Sequence, residues 1–129
     1  MSSIVVDTSA IIEIAIPEKR AAECLACLKR ADEILVSVGT LVETLIVGRR
    51  RGLGVRIEEL LQGWAATEIA VTPEMARLAA DAYDRWGKGV HPAGLNMGDC
   101  YAYALAWERN LPLLFLGDDF AATDIIAAL

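Results

Sequence analysis

The sequence predicts an α/β fold with a mainly parallel sheet and helices on both of its faces. Short β-branched and apolar runs alternate along the chain with longer segments of helical periodicity. This alternation is typical of parallel strands that are joined by helical crossovers. The strand runs are also apolar almost throughout, as "IVV" at residues 4 to 6 illustrates, and such strands suit burial on both faces of a sheet.

The elements can be placed in order along the chain. Pro73 after Thr72 suits the first turn of a helix, and Gly52 with Gly54 separates two helices. A long Gly/Pro-rich connection at residues 87 to 98 leads into the last helix. Because ligands bind at the carboxyl ends of parallel strands, a functional site is expected in the loops there. The predicted strands are residues 4 to 6, 33 to 37, 68 to 71 and 111 to 116, and the predicted helices are residues 18 to 30, 38 to 51, 55 to 65, 73 to 86 and 98 to 109.

Length and composition indicate one compact domain over residues 1 to 129. Hydrophobic residues make up 55% of the chain and charged residues 23%, and a domain of this size buries roughly two thirds of the surface of its unfolded chain. No apolar run reaches about 18 residues, and no signal-peptide pattern precedes Asp7. The odd set of cysteines, at positions 24, 27 and 100, fits buried, reduced thiols. We therefore expect a cytoplasmic protein with no membrane association.

Several acidic residues stand in apolar or strand-end settings. They are Asp7 after the first strand, Glu43 as the only charge of residues 36 to 48, Asp99 as the only charge of residues 95 to 107, and the pair Asp118 and Asp119 after the last strand. Each has a structural explanation. Asp7 can cap a helix beginning near Ser9 or Ala10, Glu43 can lie on a solvated stripe, Asp99 can face a helix dipole, and one of the pair can cap a helix starting at Phe120.

The same acids can also be explained together. In a parallel sheet the strand ends near residues 6 and 116 and the helix start near residue 98 face one edge, so the carboxylates are expected to converge there. Packed carboxylates raise one another's pKa unless a cation is present. Oxygen ligands of this kind suit Mg²⁺ or Mn²⁺, and His91, the only histidine, cannot supply a His-rich metal site. The sequence therefore predicts a carboxylate metal site.

Four stretches of the chain resemble the PIN-domain ribonucleases, and within them the VapC toxins of bacterial type II toxin–antitoxin systems. They are "VVDTSAII", "VETLIV", "GKGVHPAGLNMGDCYAYALA" and "PLLFLGDDFAATDI", in this order and over essentially the whole chain. The resemblance implies a three-layer α/β/α sandwich with a mainly parallel four- or five-stranded sheet. It also implies Mg²⁺- or Mn²⁺-dependent endonucleolytic cleavage of RNA, commonly tRNA or rRNA, by metal-activated water.

By matching position, the resemblance assigns a role to each acidic residue. Asp7, Glu43 and Asp99 match the first three acidic residues of the family, and Asp119, directly before Phe120, matches the fourth. Asp7 and Asp99 are implied to bind metal directly, Glu43 to orient the water or complete the shell, and Asp119 to act through water or a second ion. Asp118 is a secondary candidate ligand, and the implied supporting residues are Ser9, Asn96 and Asp124.

A net charge of −6 argues against a protein that holds nucleic acid by a broad basic surface. Local basic groups must then offset the acids. Candidates for binding RNA phosphates are Arg49, Arg50 and Arg51, which end the helix that carries Glu43, and Lys88 in the glycine-rich loop. The arginines can equally complement the dipole of their helix.

The resemblance also implies partners. Family members are inhibited by a cognate VapB-type antitoxin that covers the acidic cleft, and they form homodimers or hetero-oligomers with it. The apolar stretches at residues 11 to 16 and 41 to 47 are candidate binding surfaces, although core packing also explains them.

Other proteins of similar architecture fit less well. A phosphatase of this type needs D-x-D where the chain has Asp7, Thr8 and Ser9, and a receiver domain needs a lysine where it has Gly117. A dinucleotide-binding domain needs a glycine-rich turn after its first strand, and this chain lacks one. The alternative of another class is a catalytically inactive PIN-like module that serves binding or assembly.

Overall fold

The protein, described here from a computed structural model over residues 2 to 129, contains a four-stranded parallel sheet. Its strands are β1 (Ser3–Val6), β2 (Glu33–Ser37), β3 (Thr67–Ile69) and β4 (Leu113–Leu114). The helices of the described residues are α1 (Thr8–Ala15), α2 (Ala21–Arg30), α3 (Val38–Arg50), α4 (Gly54–Gly63), α5 (Pro73–Trp86) and α6 (Met97–Arg109), and a 3₁₀ turn follows at Phe120–Ala122. The predicted α/β class and parallel sheet are confirmed.

The strand order is β3-β2-β1-β4, which places β1 between β2 and β4. The order of the strands therefore reverses between β1 and β4, and in open α/β sheets a ligand crevice forms at the carboxyl ends of the strands at such a point. Asp7 directly follows β1 at this edge, where its N–H donates to the carbonyl of Leu114 at 3.0 Å.

Alternate residues of β1 point to two separate apolar cores. Val5 packs with Met75 and Leu105, from α5 and α6, on one face of the sheet. Ile4 and Val6 pack on the other face, with α1, α2 and α4. Because a strand turns successive side chains to opposite faces, β1 is buried on both sides and the domain has three layers. Helix α3 contacts α1, α4 and α6 and so bridges the two helical layers.

Most predicted elements lie where the periodicity indicates, but several boundaries are wrong. Helix α2 begins at Ala21, not at residue 18, since residues 17 to 20 form a turn that Glu13 closes by accepting from the N–H of Arg20. Strand β4 pairs over two residues only, because β1 ends at Val6 and leaves the following residues without a ladder partner. Strand β3 covers Thr67–Ile69 and is likewise shorter than the predicted strand at residues 68 to 71.

The helix predicted to start at Phe120 is only a 3₁₀ turn, and the Asp119 side chain makes no capping hydrogen bond to it. In contrast, the Asp7 side chain does cap α1.

The three cysteines are buried free thiols, as expected. Over residues 2 to 129, no helix has the length and apolar character needed to cross a membrane.

Candidate active site

Asp7 is buried at the carboxyl end of β1, with 2% of its surface exposed. Its Oδ2 accepts hydrogen bonds from the N–H of Ser9 at 3.0 Å and from the Ser9 hydroxyl at 2.7 Å. Its Oδ1 is buried without a hydrogen-bond partner in the described residues. Burial raises the pKa of Asp7 to about 6; the Ser9 bonds oppose the rise and the charge of Glu43 adds to it. A buried carboxylate oxygen without a partner is unfavourable unless a proton or a cation compensates it.

Glu43 lies on α3 and is fixed by hydroxyl groups from α1 and from its own helix. Thr8 Oγ1 donates to Glu43 Oε1 at 2.8 Å. Because this uses its one hydrogen, Thr8 accepts from Thr44 Oγ1, also at 2.8 Å. The carbonyl of Thr40 lies at the same distance from Thr44 Oγ1 and competes with Thr8 for the Thr44 hydrogen. Because Thr8 directly follows Asp7, this buried link sets the position of Glu43 relative to Asp7.

Asp99 lies in the first turn of α6 and forms a capping box with Asn96. The Asn96 side chain accepts from the N–H of Asp99 at 2.9 Å, while Asp99 Oδ2 accepts from the N–H of Asn96 at 3.0 Å. Asp99 is 9% exposed. Burial raises its pKa to about 7, and the Asn96 N–H lowers it while the charges of Asp7, Glu43 and Asp119 raise it further. These three acids therefore act on Asp99 electrostatically.

Gly98 lets α6 approach Glu43 closely. A Cβ atom at this position would overlap the Glu43 carboxylate. The backbone next to Asp99 thus lies directly against the Glu43 carboxylate, and any larger residue at position 98 would displace that carboxylate.

Asp118 and Asp119 are exposed on the loop after β4. The loop leaves the strand through Gly117, whose φ of +95° favours glycine. Just before it, the N–H of Leu116 donates to Ser9 Oγ at 3.0 Å, so Ser9 joins Asp7 to this loop. Of the pair, it is Asp119 whose charge raises the pKa of Asp99. We call Asp7, Glu43, Asp99 and Asp119 the carboxylate cluster.

Comparison with known proteins identifies the family. A PIN-domain family model matches residues 4 to 126. Ribonuclease VapC42 of Mycobacterium tuberculosis is 41% identical over 125 residues, which cover 94% of this chain and 95% of the relative. The chain belongs to the VapC ribonucleases of the PIN-domain family.

Two solved structures share the PIN-domain architecture. The crystal structure of M. tuberculosis VapC20, a toxin that cleaves the sarcin–ricin loop, has a TM-score of 0.78 at 16% identity and covers 95% of this chain and 96% of its own. A toxin–antitoxin complex from Klebsiella pneumoniae has a TM-score of 0.72 at 17% identity and covers 98% of both chains. At these identities the likeness concerns the fold.

The other residues predicted for the PIN-domain site fall into two groups. Ser9 contacts Asp7 and Asn96 contacts Asp99, as described above. Asp124 lies elsewhere: it accepts a hydrogen bond from Tyr103 Oη and lies 3.7 Å from Arg85, so no direct bond joins it to the carboxylate cluster.

The predicted basic residues differ in their surroundings. Arg51 lines a groove of about 380 Å³ together with Thr8 and Ser9, and two glutamates, Glu13 and Glu18, also line it. The side chain of Arg49 instead packs over Gly54. Arg50 is exposed at the end of α3. Lys88 lines a mostly apolar cavity of about 590 Å³ that also includes Asn96.

Sequence reasoning missed two contributors to the site, Thr44 and Gly98. Thr40 and Thr44 are four residues apart, so they share a helix face, and this spacing is the signal from which a polar strip beside Glu43 could have been inferred. Nothing in the spacing of Gly98 reveals that another helix packs onto it, because that contact depends on how α3 and α6 cross.

The donors of the site fit Mg²⁺ or Mn²⁺. Carboxylate oxygens are the ligands that these ions prefer. The Oδ1 of Asp7 is buried without a hydrogen-bond partner in the described residues, and a cation would offset the cost of burying it. As the side chains stand between residues 2 and 129, no three acidic, histidine or cysteine groups are close enough to hold an ion together. The site therefore fits Mg²⁺ or Mn²⁺ by the chemistry of its carboxylate oxygens and by the buried Oδ1 of Asp7, which lacks a partner in the described residues.

An apolar surface borders the PIN-domain site. It is formed by Val38, Val42 and Ile46 of α3 with Met97 and Tyr101 of α6, and it lines a cavity of about 430 Å³ that Glu43 also reaches. Ile46 is 53% exposed. Of the two apolar stretches predicted as binding surfaces, residues 41 to 47 contribute to this surface. The prediction for residues 11 to 16 is wrong for Ile11, Ile14 and Ala15, which are in the core.

Proposed function

We propose that the protein is the toxin of a type II toxin–antitoxin system, a Mg²⁺- or Mn²⁺-dependent endoribonuclease acting in the cytoplasm, with residues 1 to 129 as one PIN domain. The observation that carries this proposal is the buried carboxylate of Asp7. Its Oδ1 has no hydrogen-bond partner among residues 2 to 129, and Glu43 and Asp99 add negative charge nearby. Such a site is unfavourable unless a cation compensates it. Membership of the VapC ribonucleases supports the same function.

Each acid has a separate role in the proposed reaction. Asp7, held by Ser9, and Asp99, held by Asn96, would hold the ion, and Asp119 would contribute from the exposed loop. When bound, Mg²⁺ or Mn²⁺ activates a water molecule and offsets the charge of the phosphodiester. Glu43 would orient that water, with its carboxylate held in place by the hydrogen bond from Thr8 Oγ1 to Oε1.

RNA reaches this site along the groove between α1 and the end of α3. Among the three consecutive arginines, we assign phosphate binding to Arg51, because its groove begins at Thr8 and Ser9, next to Asp7. Glu13 and Glu18 weaken the local positive potential, so the contact positions the RNA more than it attracts it. Arg49 and Arg50 serve mainly the C-terminal dipole of α3, and Lys88 contacts RNA on the other side of the cluster.

A VapB-type antitoxin is the proposed partner. The apolar surface beside Glu43 suits an apolar segment of that partner, and a basic residue following it would complement the carboxylate cluster. The similarity of the chain to the toxin–antitoxin complex from Klebsiella pneumoniae supports an assembly of this kind. Such a segment would block access of RNA to Asp7 and so inhibit cleavage.

The test is cleavage of total cellular RNA by the antitoxin-free protein with Mg²⁺ or Mn²⁺, with new 5′ ends mapped by sequencing. We expect discrete ends that vanish with a chelator and with Asp7→Asn. Asp119→Asn and Asp118→Asn form a matched pair: the first should slow cleavage about tenfold or more, as loss of a ligand-orienting group does, and the second should have little effect.

Two results would contradict the proposal. Ends that persist in Asp7→Asn would come from a contaminating nuclease. A folded, metal-loaded protein that cuts nothing would instead favour the inactive binding module.

A further inference from the structure

We infer that Tyr103 is a positioning residue for the carboxylate cluster, because its hydrogen bond to Asp124 holds the loop that carries Asp119 beside Asp99. The inference rests on the proposed function, since it concerns how the fourth acid is held where it can act.

Tyr103 and Asp99 lie on the same side of α6, because residues four apart on a helix are neighbours. Tyr103 is 5% exposed. Its hydroxyl donates to Asp124 Oδ1 at 2.5 Å and accepts from Trp86 Nε1 at 3.1 Å. The direction of both bonds is fixed, since an indole nitrogen only donates and a carboxylate only accepts.

Arg85 completes this arrangement from α5. Its guanidinium lies 3.7 Å from Asp124 Oδ2, and its Cζ atom lies 4.6 Å from the centre of the Trp86 ring. Asp124 therefore receives a donor from α6 and a positive charge from α5. The segment after β4 is thus tied to the helix that carries Asp99.

The chain between Asp119 and Asp124 has little freedom to move. Phe120 is buried against Phe115, with 5.2 Å between the ring centres. Thr123 Oγ1 donates to the carbonyl of Phe120 at 2.7 Å and accepts from the N–H of Ile125 at 3.2 Å. A shift of Asp124 would therefore be transmitted to Asp119 through a compact turn.

Asp119 itself depends on these neighbours. Its exposed side chain makes no capping bond that would orient it. The loop is held on one side by the bond from Leu116 N–H to Ser9 and on the other by the bond from Tyr103 to Asp124. Because Ser9 also holds Asp7, both anchors connect the loop to an element that carries another acid of the cluster.

The experiment measures Mn²⁺ affinity by titration calorimetry for wild type, Tyr103→Phe, Asp119→Asn and the double variant. Phenylalanine keeps the packing and removes only the hydroxyl. We expect Tyr103→Phe to weaken Mn²⁺ binding roughly tenfold, the low end of what loss of an outer-shell partner costs. Cleavage by this variant should recover at saturating Mn²⁺. In the Asp119→Asn background the same substitution should cost nothing further.

Tyr83→Phe is the matched control, since Tyr83 is 39% exposed on α5 and lies outside these contacts. It should leave Mn²⁺ affinity unchanged. Asp124→Asn, which keeps the shape of the side chain, provides the same test if Tyr103→Phe does not fold.

The outcomes separate this inference from the proposed function. Wild-type affinity in Tyr103→Phe, or a penalty that persists in the Asp119→Asn background, would overturn the positioning role alone. Failure of the wild-type protein to bind Mn²⁺ would overturn the proposed function and the positioning role with it.

Discussion

Burial of Asp7 makes the stability of the metal-free protein depend on pH. Its pKa rises from 3.8 to about 6 on folding. Between these values the folded protein keeps a proton that the unfolded chain has released, so the free energy of unfolding falls as pH rises. Above about pH 6 both states are ionised and the loss is complete, at about 3 kcal/mol. Asp99, with a pKa of about 7, extends the decline to higher pH.

Asp7→Asn should remove the Asp7 share of this decline. Urea denaturation in the presence of a chelator, from about pH 4 to about pH 8, would measure it, and the variant should gain stability relative to wild type as pH rises. Parallel curves for the two proteins would show that Asp7 is not the source.

Gly98 is the residue whose substitution tests how closely α6 must approach Glu43. Alanine in a helix is normally more stable than glycine by about 0.5 to 1 kcal/mol, but a Cβ atom here would overlap the Glu43 carboxylate. We expect Gly98→Ala to lower cleavage at least tenfold, as misplaced catalytic groups do. Gly63→Ala on α4 is the control, since a Cβ atom there has no neighbour within 4 Å. Equal cleavage by both variants would show that Glu43 tolerates displacement.

At the scale of elements, α1 depends on the same carboxylate that the proposed reaction needs. Asp7 caps α1 by accepting from the N–H of Ser9, and asparagine caps helices about as well as aspartate. Asp7→Ala should therefore be less stable than Asp7→Asn by about 1 kcal/mol, while both variants lose cleavage. Chemical denaturation at neutral pH would measure the difference. Equal stability would mean that the cap contributes nothing to α1.

The helices were predictable from the sequence where their periodicity was long and their ends were marked. Helix α5 lies where Pro73 and Thr72 predicted it, and α3 ends within one residue of its predicted end. The short strands β3 and β4 were less predictable, because the length of a strand is set by its partner. Leu116 is apolar like a strand residue. It has no strand partner in the described part of the chain, however, because Leu114 already pairs with Val6, the last residue of β1.

The acidic residues of the candidate site were predictable because a charge in an apolar segment is costly to bury unless a partner or an ion compensates it. Glu43 and Asp99 are each the only charge in a long apolar run, and Asp7 ends a buried strand. The contact between Thr8 and Thr44 required the structure, because it depends on the angle at which α1 and α3 meet, and the spacing of residues along the chain does not determine that angle.

For the molecule as a whole, a substitution on the apolar surface beside Glu43 should weaken partner binding without unfolding the protein. Ile46→Glu places a charge on this surface, and we expect it to weaken binding of the cognate antitoxin at least tenfold while the free energy of unfolding stays unchanged. A central apolar contact commonly carries this much binding energy. Val55→Glu is the control, because Val55 is 74% exposed on α4, outside the surface. Calorimetry with purified antitoxin would measure both, and equal affinities would exclude this surface.

The net charge of −6 has a further consequence for how the whole protein binds RNA. For single-stranded RNA, each phosphate contact contributes about −0.7 to the slope of log affinity against log salt. With Arg51 and Lys88 as the contacts, we expect a slope of about −1.4, much shallower than that of a basic RNA-binding protein. Arg51→Ala should reduce its magnitude by about 0.7 and Arg50→Ala should not.

Fluorescence anisotropy of a labelled single-stranded RNA would measure these slopes, in the Asp7→Asn background and with a chelator so that the RNA stays intact. If Arg50→Ala lowers the slope as much as Arg51→Ala does, RNA spreads over the end of α3 instead of following the groove. A slope steeper than about −3 would exceed what all four candidate basic residues can supply. RNA would then contact basic residues other than Arg49, Arg50, Arg51 and Lys88, and the proposed path along the Arg51 groove would be wrong.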